Sequence, residues 1–175
     1  PLIRYAARQG RPLIISTGMA NLAEMQAALD TALEAGAAGV LLLHCVSSYP
    51  ASFEDANVRT VVDMAARFGC PIGLSDHTPG TAASVAAVSL GACAVEKHFT
   101  LARADGGPDA AFSLEPAEFR ALCDDTRNAW KALGRVNYDL LGSERGNRQF
   151  RRSLYVTADV AAGEVLTRAN VRSVR

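Results

Sequence analysis

The sequence is poor in the features that usually reveal a protein's partner. Lys and Arg number 18 and so do Asp and Glu, so the net charge is zero. No global field gathers nucleic acid or an anionic membrane surface, and any anion has to be bound locally. No hydrophobic run is long enough to span a bilayer: the stretches Gly39 to Leu43 and Ala82 to Ala94 are too short or too interrupted by Gly and Ser. No signal-peptide pattern opens the chain. The four cysteines, Cys45, Cys70, Cys93 and Cys123, form no Cys-x-x-Cys pair, and three of them lie in or beside apolar runs, where a free thiol packs as a small hydrophobe. The expectation is a reduced, cytoplasmic protein that engages neither nucleic acid nor membrane.

What is present is a globular composition, 49% hydrophobic and 21% charged over 175 residues, enough to bury a core. Short apolar runs alternate with longer segments of helical period, the pattern of consecutive β/α units on a parallel sheet. The predicted strands are Pro12 to Ser16, Gly39 to Cys45, Pro71 to Ser75 and Ala92 to His98. Asn21 and Glu24 resemble a capping box ahead of a stripe of Leu22, Met25, Leu29 and Leu33. A second helix carries Val58, Val61, Val62, Ala65 and Phe68 and stops at Gly69; a third, Ala- and Val-rich, runs from Thr81 to Leu90. The longest starts at Pro116 and presents Phe119, Leu122, Cys123, Trp130 and Leu133 before Gly134. These assignments place a β/α-barrel domain over residues 1–134, a polar, Arg-rich linker over 135–152, and the start of a small module over 153–175, with strands at Ser153 to Val156 and Glu164 to Leu166.

The two most informative segments are Gly73-Leu74-Ser75-Asp76-His77-Thr78 and Glu96-Lys97-His98-Phe99-Thr100, each with a histidine where a strand ends. Neighbouring parallel strands lie about 4.8 Å apart, so two imidazoles at their carboxyl ends can reach one cation at distances near 2.1 Å. Residues two apart share a face of a strand. Gly73, Ser75 and His77 therefore point one way and Ile72 and Leu74 the other; Ala94, Glu96 and His98 go together, leaving Lys97 awkwardly among the aliphatics. Barrel enzymes gather their sites at the carboxyl ends of strands, where Ser16-Thr17-Gly18, Ser47-Ser48-Tyr49, Ser75-Asp76-His77 and His98-Phe99-Thr100 all fall. His44, alone beside Cys45, reads as a hydrogen-bonded core residue. Ser16-Thr17-Gly18 is a turn or a phosphate cradle. Glu54 and Asp55 suit a helix start, and the loop Asp105 to Asp109, after the second histidine, suits ligand contact. Glu96 is a general base, a partner of the ligands, or half of an ion pair.

In this order, these motifs resemble the sialic acid synthase (N-acylneuraminate synthase) family. The resemblance rests on Ile15 to Gly18, Leu43 to Pro50, Glu54 to Asn57, Gly73 to Thr78, Glu96 to Thr100, Gly107 to Asp109 and Ser113 to Pro116. It implies the last four units of a (β/α)8 TIM barrel, followed at Asp159 to Glu164 by the opening of an antifreeze-like (SAF) domain. The loop Asp105 to Asp109 with Ala111 to Leu114, and Phe150 to Tyr155, look most like the pseudaminic acid synthases. Such enzymes condense phosphoenolpyruvate with an N-acylated amino sugar, here 2,4-diacetamido-2,4,6-trideoxy-L-altrose, and release phosphate; N-acetylneuraminate and legionaminate synthases are the alternatives.

The resemblance implies that His77 and His98 bind a divalent cation, Mn²⁺ or Mg²⁺, and that Ser16 and Ser75 hold the phosphate of phosphoenolpyruvate. Ser47, Tyr49 and Asp109 would face the sugar, with Ser47 standing where sialic acid synthases have asparagine. His98 and Glu96 are the candidate catalytic pair. Family members carry a glutamate, a lysine and further contacts on the first four strands, and receive an arginine from the partner of a homodimer; none of those segments is in this chain, so the chain alone is expected to be inactive. Two other functions fit the same residues. One is a non-catalytic half-barrel for binding or assembly. The other is a metal-dependent hydrolase or aldolase, which would need Asp76, Glu96 or Asp109 as a third ligand.

Overall fold

The computed structural model describes residues 1–175 as two compact units, Pro1–Gly134 and Arg135–Arg175. The first is built on four parallel strands in sequence order: β1 (Leu13–Ser16), β2 (Val40–Cys45), β3 (Ile72–Asp76) and β4 (Val95–Lys97). Register pairs Ser16 with Leu43, Leu43 with Gly73, Cys45 with Ser75 and Ser75 with Glu96. One face of the sheet is therefore a row of alternating positions that ends in polar groups. The helices between the strands are α2 (Leu22–Glu34), α3 (Thr60–Phe68) and α4 (Ala82–Ser89), and α5 (Pro116–Leu133) follows β4. A short helix not anticipated from the sequence, α1 (Leu2–Ala7), precedes β1 and packs on α2.

The core lies between the sheet and its helices. Leu42, Ile72 and Leu74 from the strands meet Leu29 and Ala32 of α2, Val61 and Met64 of α3 and Ala87 of α4, with Leu13 and Ile15 packed against them. Local chemistry sets the helix ends. The Asn21 side chain accepts from Glu24 N at 3.0 Å while Glu24 accepts from Asn21 N at 2.8 Å, completing the capping box. Gly69 ends α3 in the left-handed region at φ 60°, a conformation that Cβ disfavours.

Three stripes differ from expectation. Leu22 and Leu33 are exposed, and Ala32 takes the inner position, because α2 meets the sheet through Leu29 and Ala32. On α3 Val62 faces out and Met64 in. On α5, which packs on α4, only Leu122 is fully buried, while Trp130 and Leu133 stand open beside a cavity that they line with Val88 of α4.

In the second unit a 3₁₀ helix, Gly142–Phe150, lies within the span read as a linker. Strand β5 (Ser153–Val156) forms as expected, but its antiparallel partner is β6 (Val171–Val174), not Glu164 to Leu166. The buried Asn170 explains the difference: its Oδ1 accepts from Thr167 N at 2.7 Å and its Nδ2 donates to Val165 O at 3.3 Å, holding that segment as a turn. No helix in the chain is long and apolar enough to cross a membrane, and all four cysteines are free.

Candidate active site

Alternation along the strands delivers the polar residues to one place. At the carboxyl ends of the four strands a cavity of about 650 Å³ is lined by Ser16, Ser47, Tyr49, Ser75, His77, Glu96, His98 and Asp109, together with Gly18 and Cys45. Every candidate site residue thus reaches the same cavity, although they come from five separate stretches of chain.

The two imidazoles sit with ring centroids 5.1 Å apart at an interplanar angle of 69°. His77 Nδ1 lies 2.8 Å from the carbonyl oxygen of Val46. A carbonyl only accepts, so Nδ1 carries the proton and Nε2 keeps its lone pair. His98 Nδ1 faces Asp109 Oδ2 at 3.6 Å, the orientation in which a carboxylate steers an imidazole and leaves its other nitrogen for a ligand. Asp109 is brought there by the return of the chain beside β4: Leu114 N donates to His98 O at 2.9 Å, Phe99 bridges to Leu114, and Ser113 Oγ donates to Asp109 O at 2.8 Å. The two rings are suited to hold a divalent cation as part of a ligand set. No group of three His, Cys, Asp or Glu side chains here is arranged to do so alone.

Aromatic rings brace the pair. Tyr49 packs on His77 at 4.3 Å between centroids, and Phe112 on His98 at 5.0 Å. Phe112 was not apparent from the sequence, where it belongs to no strand end and only its place in the returning loop marks it. Cys45 was read as a packing thiol, yet its Sγ lies 4.0 Å from His77 Nδ1 and 3.9 Å from Ser47 Oγ; register with Ser75 puts it on the cavity face. Gly18 is a close approach: a Cβ there would lie 2.2 Å from Ser47 Oγ and 3.1 Å from Cys45 Sγ. Ser75 Oγ donates to Glu96 Oε1 at 2.6 Å, so Glu96 is tied to a neighbouring site residue.

Behind the sheet, Asp76 and Lys97 resolve the awkward position of the lysine. Their side chains are 1% and 2% exposed, with Lys97 Nζ 2.9 Å from Asp76 Oδ2. Burial would push the Asp76 carboxyl up, but hydrogen bonds from Ser84, Lys97 and the Thr78 backbone, with the charge of Lys97, outweigh it and hold the group below its ordinary value. His44 is structural, its Nε2 2.8 Å from Ala56 O in a buried position. Asp55 likewise accepts from Ser52 Oγ at 2.9 Å, away from the cavity.

Four parallel strands with helices on one face and a polar rim at their carboxyl ends are half of a (β/α)8 barrel. The NeuB family model matches residues 1–138, and the chain belongs to that family. N,N′-diacetyllegionaminic acid synthase of Campylobacter jejuni is 39% identical over 178 residues, which cover 100% of this chain and 53% of that protein. Pseudaminic acid synthase of the same species is also 39% identical, over 173 residues, 99% of this chain and 50% of the relative. Among solved structures, the N-acetylneuraminic acid (sialic acid) synthetase of Leptospira borgpetersenii in complex with citrate superposes with a TM-score of 0.76 at 35% identity, covering 86% of this chain and 52% of that one. The chain spans about half the length of these relatives. Equal identity to two differently named synthases leaves the sugar to the residues of the cavity.

Proposed function

We propose that this chain forms the cation- and phosphate-handling half of a nonulosonic acid synthase, which joins phosphoenolpyruvate to an N-acylated amino sugar with release of phosphate. The observation that carries the reading is the pair of imidazoles 5.1 Å apart, His77 hydrogen-bonded at Nδ1 to the Val46 carbonyl and His98 with Nδ1 3.6 Å from the Asp109 carboxylate, in one cavity with Ser16, Ser75 and Glu96. His77 and His98 would hold Mn²⁺ or Mg²⁺, which when bound supplies Lewis-acid polarisation of the open-chain sugar aldehyde.

The chain's own residues supply the rest. Ser16 and Ser75 donate hydroxyl protons to the phosphate. Ser75 has a single proton and spends it on Glu96, so phosphate binding turns that hydroxyl away and frees Oε1 of Glu96. C3 of phosphoenolpyruvate attacks the aldehyde carbon, whose oxygen takes up a proton from solvent to become a hydroxyl. Water then adds to the cationic C2, one of its protons passing to Glu96. The C2 hydroxyl gives up the other to the departing phosphate as the C2–O bond breaks, leaving a ketone and phosphate with its bridging oxygen. Ser47, Tyr49 and Asp109 face the sugar. Ser47, a smaller side chain than the asparagine of the sialic acid synthases, suits the acetamido substituents of a 2,4-diacetamido-2,4,6-trideoxy-L-altrose, the acceptor for pseudaminic acid. The second unit is the opening of an SAF domain, and the assembled enzyme is a cytoplasmic homodimer.

The test follows phosphate release from phosphoenolpyruvate with each candidate amino sugar. The 175-residue chain alone gives none, and co-expression with the amino-terminal half of a pseudaminic acid synthase restores turnover, fastest with the altrose derivative. Turnover by the unsupplemented chain refutes the half-site reading. Failure of every sugar in a complemented complex that is shown to be assembled refutes the synthase reading.

A further inference from the structure

Asp76 and Lys97 immediately precede the two histidines and pair with each other in the sheet register. Strand alternation turns their side chains to the helix side while His77 and His98 turn to the cavity, so the ion pair lies directly behind the imidazole pair. Its hydrogen bonding is nearly saturated. Asp76 Oδ1 accepts from Thr78 N and Thr78 Oγ1, both at 2.8 Å, and Oδ2 accepts from Ser84 Oγ at 2.5 Å and from Lys97 Nζ at 2.9 Å. Lys97 Nζ also donates to Thr78 O. Thr78 therefore meets the pair through its backbone N–H, its hydroxyl and its carbonyl, and His77 is bracketed on both sides. His98 is bracketed by Lys97 before it and by Leu114 N donating to its own carbonyl at 2.9 Å.

A buried ion pair is seldom retained for stability, because desolvation cancels most of the attraction and an apolar pair of similar volume often serves as well. Here the pair links β3, β4 and Ser84 of α4 at the level where two ligands from different strands must be held in register. We propose that Asp76 and Lys97 are positioning residues: a cross-strand clamp that sets the separation and orientation of His77 and His98. The cation-binding part of this proposal rests on the function proposed above; the geometric part does not.

The experiment uses the whole 175-residue chain and the double variant D76N/K97M. It removes both charges, keeps an acceptor for Thr78 and a donor towards Ser84, and leaves no buried charge unpaired. Two measurements are made on protein shown by circular dichroism to be folded. The first is Mn²⁺ affinity by calorimetry, with His77→Ala as the control for binding at the site. The second needs no metal: the NMR cross-ring contact between His77 and His98, and the tautomer of His77. The clamp predicts a loss of Mn²⁺ affinity of about tenfold or more, a weakened cross-ring contact, and a His77 proton shared between its two nitrogens.

A folded double variant with native affinity, cross-ring contact and tautomer overturns the clamp. If the native chain binds no Mn²⁺ at His77 but the double variant still loses the ring contact, the cation reading fails and the clamp stands. Should the double variant not fold, Ser84→Ala decides. It removes one hydrogen bond from Asp76 without touching either strand, and it predicts a smaller shift in the same direction; unchanged ring geometry in that variant overturns the proposal.

Discussion

At the residue scale the site depends on contacts too small for composition to reveal. Gly18 shows this most directly. It has no side chain because Ser47 Oγ and Cys45 Sγ occupy the space where one would begin. Gly18→Ala forces Ser47 from its rotamer and costs about 1–3 kcal/mol, as overpacking does, whereas Ser47→Ala in the same background restores most of it. Thermal unfolding of the two single variants and the double variant checks this, and additive losses would contradict it. Strand parity made Ser75, His77, Glu96 and His98 legible from the sequence, since alternation is local geometry. It also contained the signal for Cys45, which a general preference of thiols for apolar packing obscured. Phe112 was illegible because it reaches His98 through a loop, and loops have no period.

At the scale of elements, the returning segment from Arg103 to Glu115 is what brings Asp109 to His98. Its base is held on the start of α5. Arg103 Nη2 donates to Glu118 Oε1 at 2.9 Å, Arg103 N donates to Glu115 Oε1 at 2.8 Å, and Glu118 Oε2 accepts from Glu115 N at 2.8 Å. The hydrogen bond from Arg103 and then that from the Glu115 backbone lower the Glu118 carboxyl from 4.5 to about 2. A carboxyl depressed by folding contributes stability that is fully present above its unfolded value and is lost as pH falls through the folded one. The anchoring is thus intact above about pH 4.5 and fades towards pH 2. Amide exchange at Glu115, followed from pH 5 downward, is expected to stay protected at pH 4 in the native chain and to lose protection in Glu118→Ala, which removes the acceptor, at every pH. Equal protection in both would sink the assignment. The helices around this loop were legible from caps and apolar spacing, but α1 was not, having six residues and too little length for a period to show.

At the scale of the whole molecule, β1 is an edge of its sheet with no further strand beside it, whereas the sheet is continued past the end of β4 by the Phe99–Leu114 bridge. Ile14 in β1 is 66% exposed, an aliphatic side chain on the face that it shares with Leu41 and, further along the strand, Ser16. Open edges with apolar neighbours invite pairing between chains. Sedimentation velocity of the isolated chain is expected to show association that increases with concentration, and Ile14→Lys is expected to shift the distribution towards monomer. A native chain that stays monomeric as concentration rises would contradict this.

Taken alone, the sequence determined the order of the four parallel strands and of the helices that follow them, the side of each strand that carries polar groups, and a pair of histidines placed at matching strand ends. These are properties of neighbours along the chain, governed by backbone period, capping and turn chemistry. Only the tertiary structure decided where Lys97 went, which partner β5 chose, how far α5 is buried and which loop residue braces His98. Each of those depends on groups many residues apart meeting in space, where burial, hydrogen-bond satisfaction and excluded volume select among arrangements that local preference leaves equal.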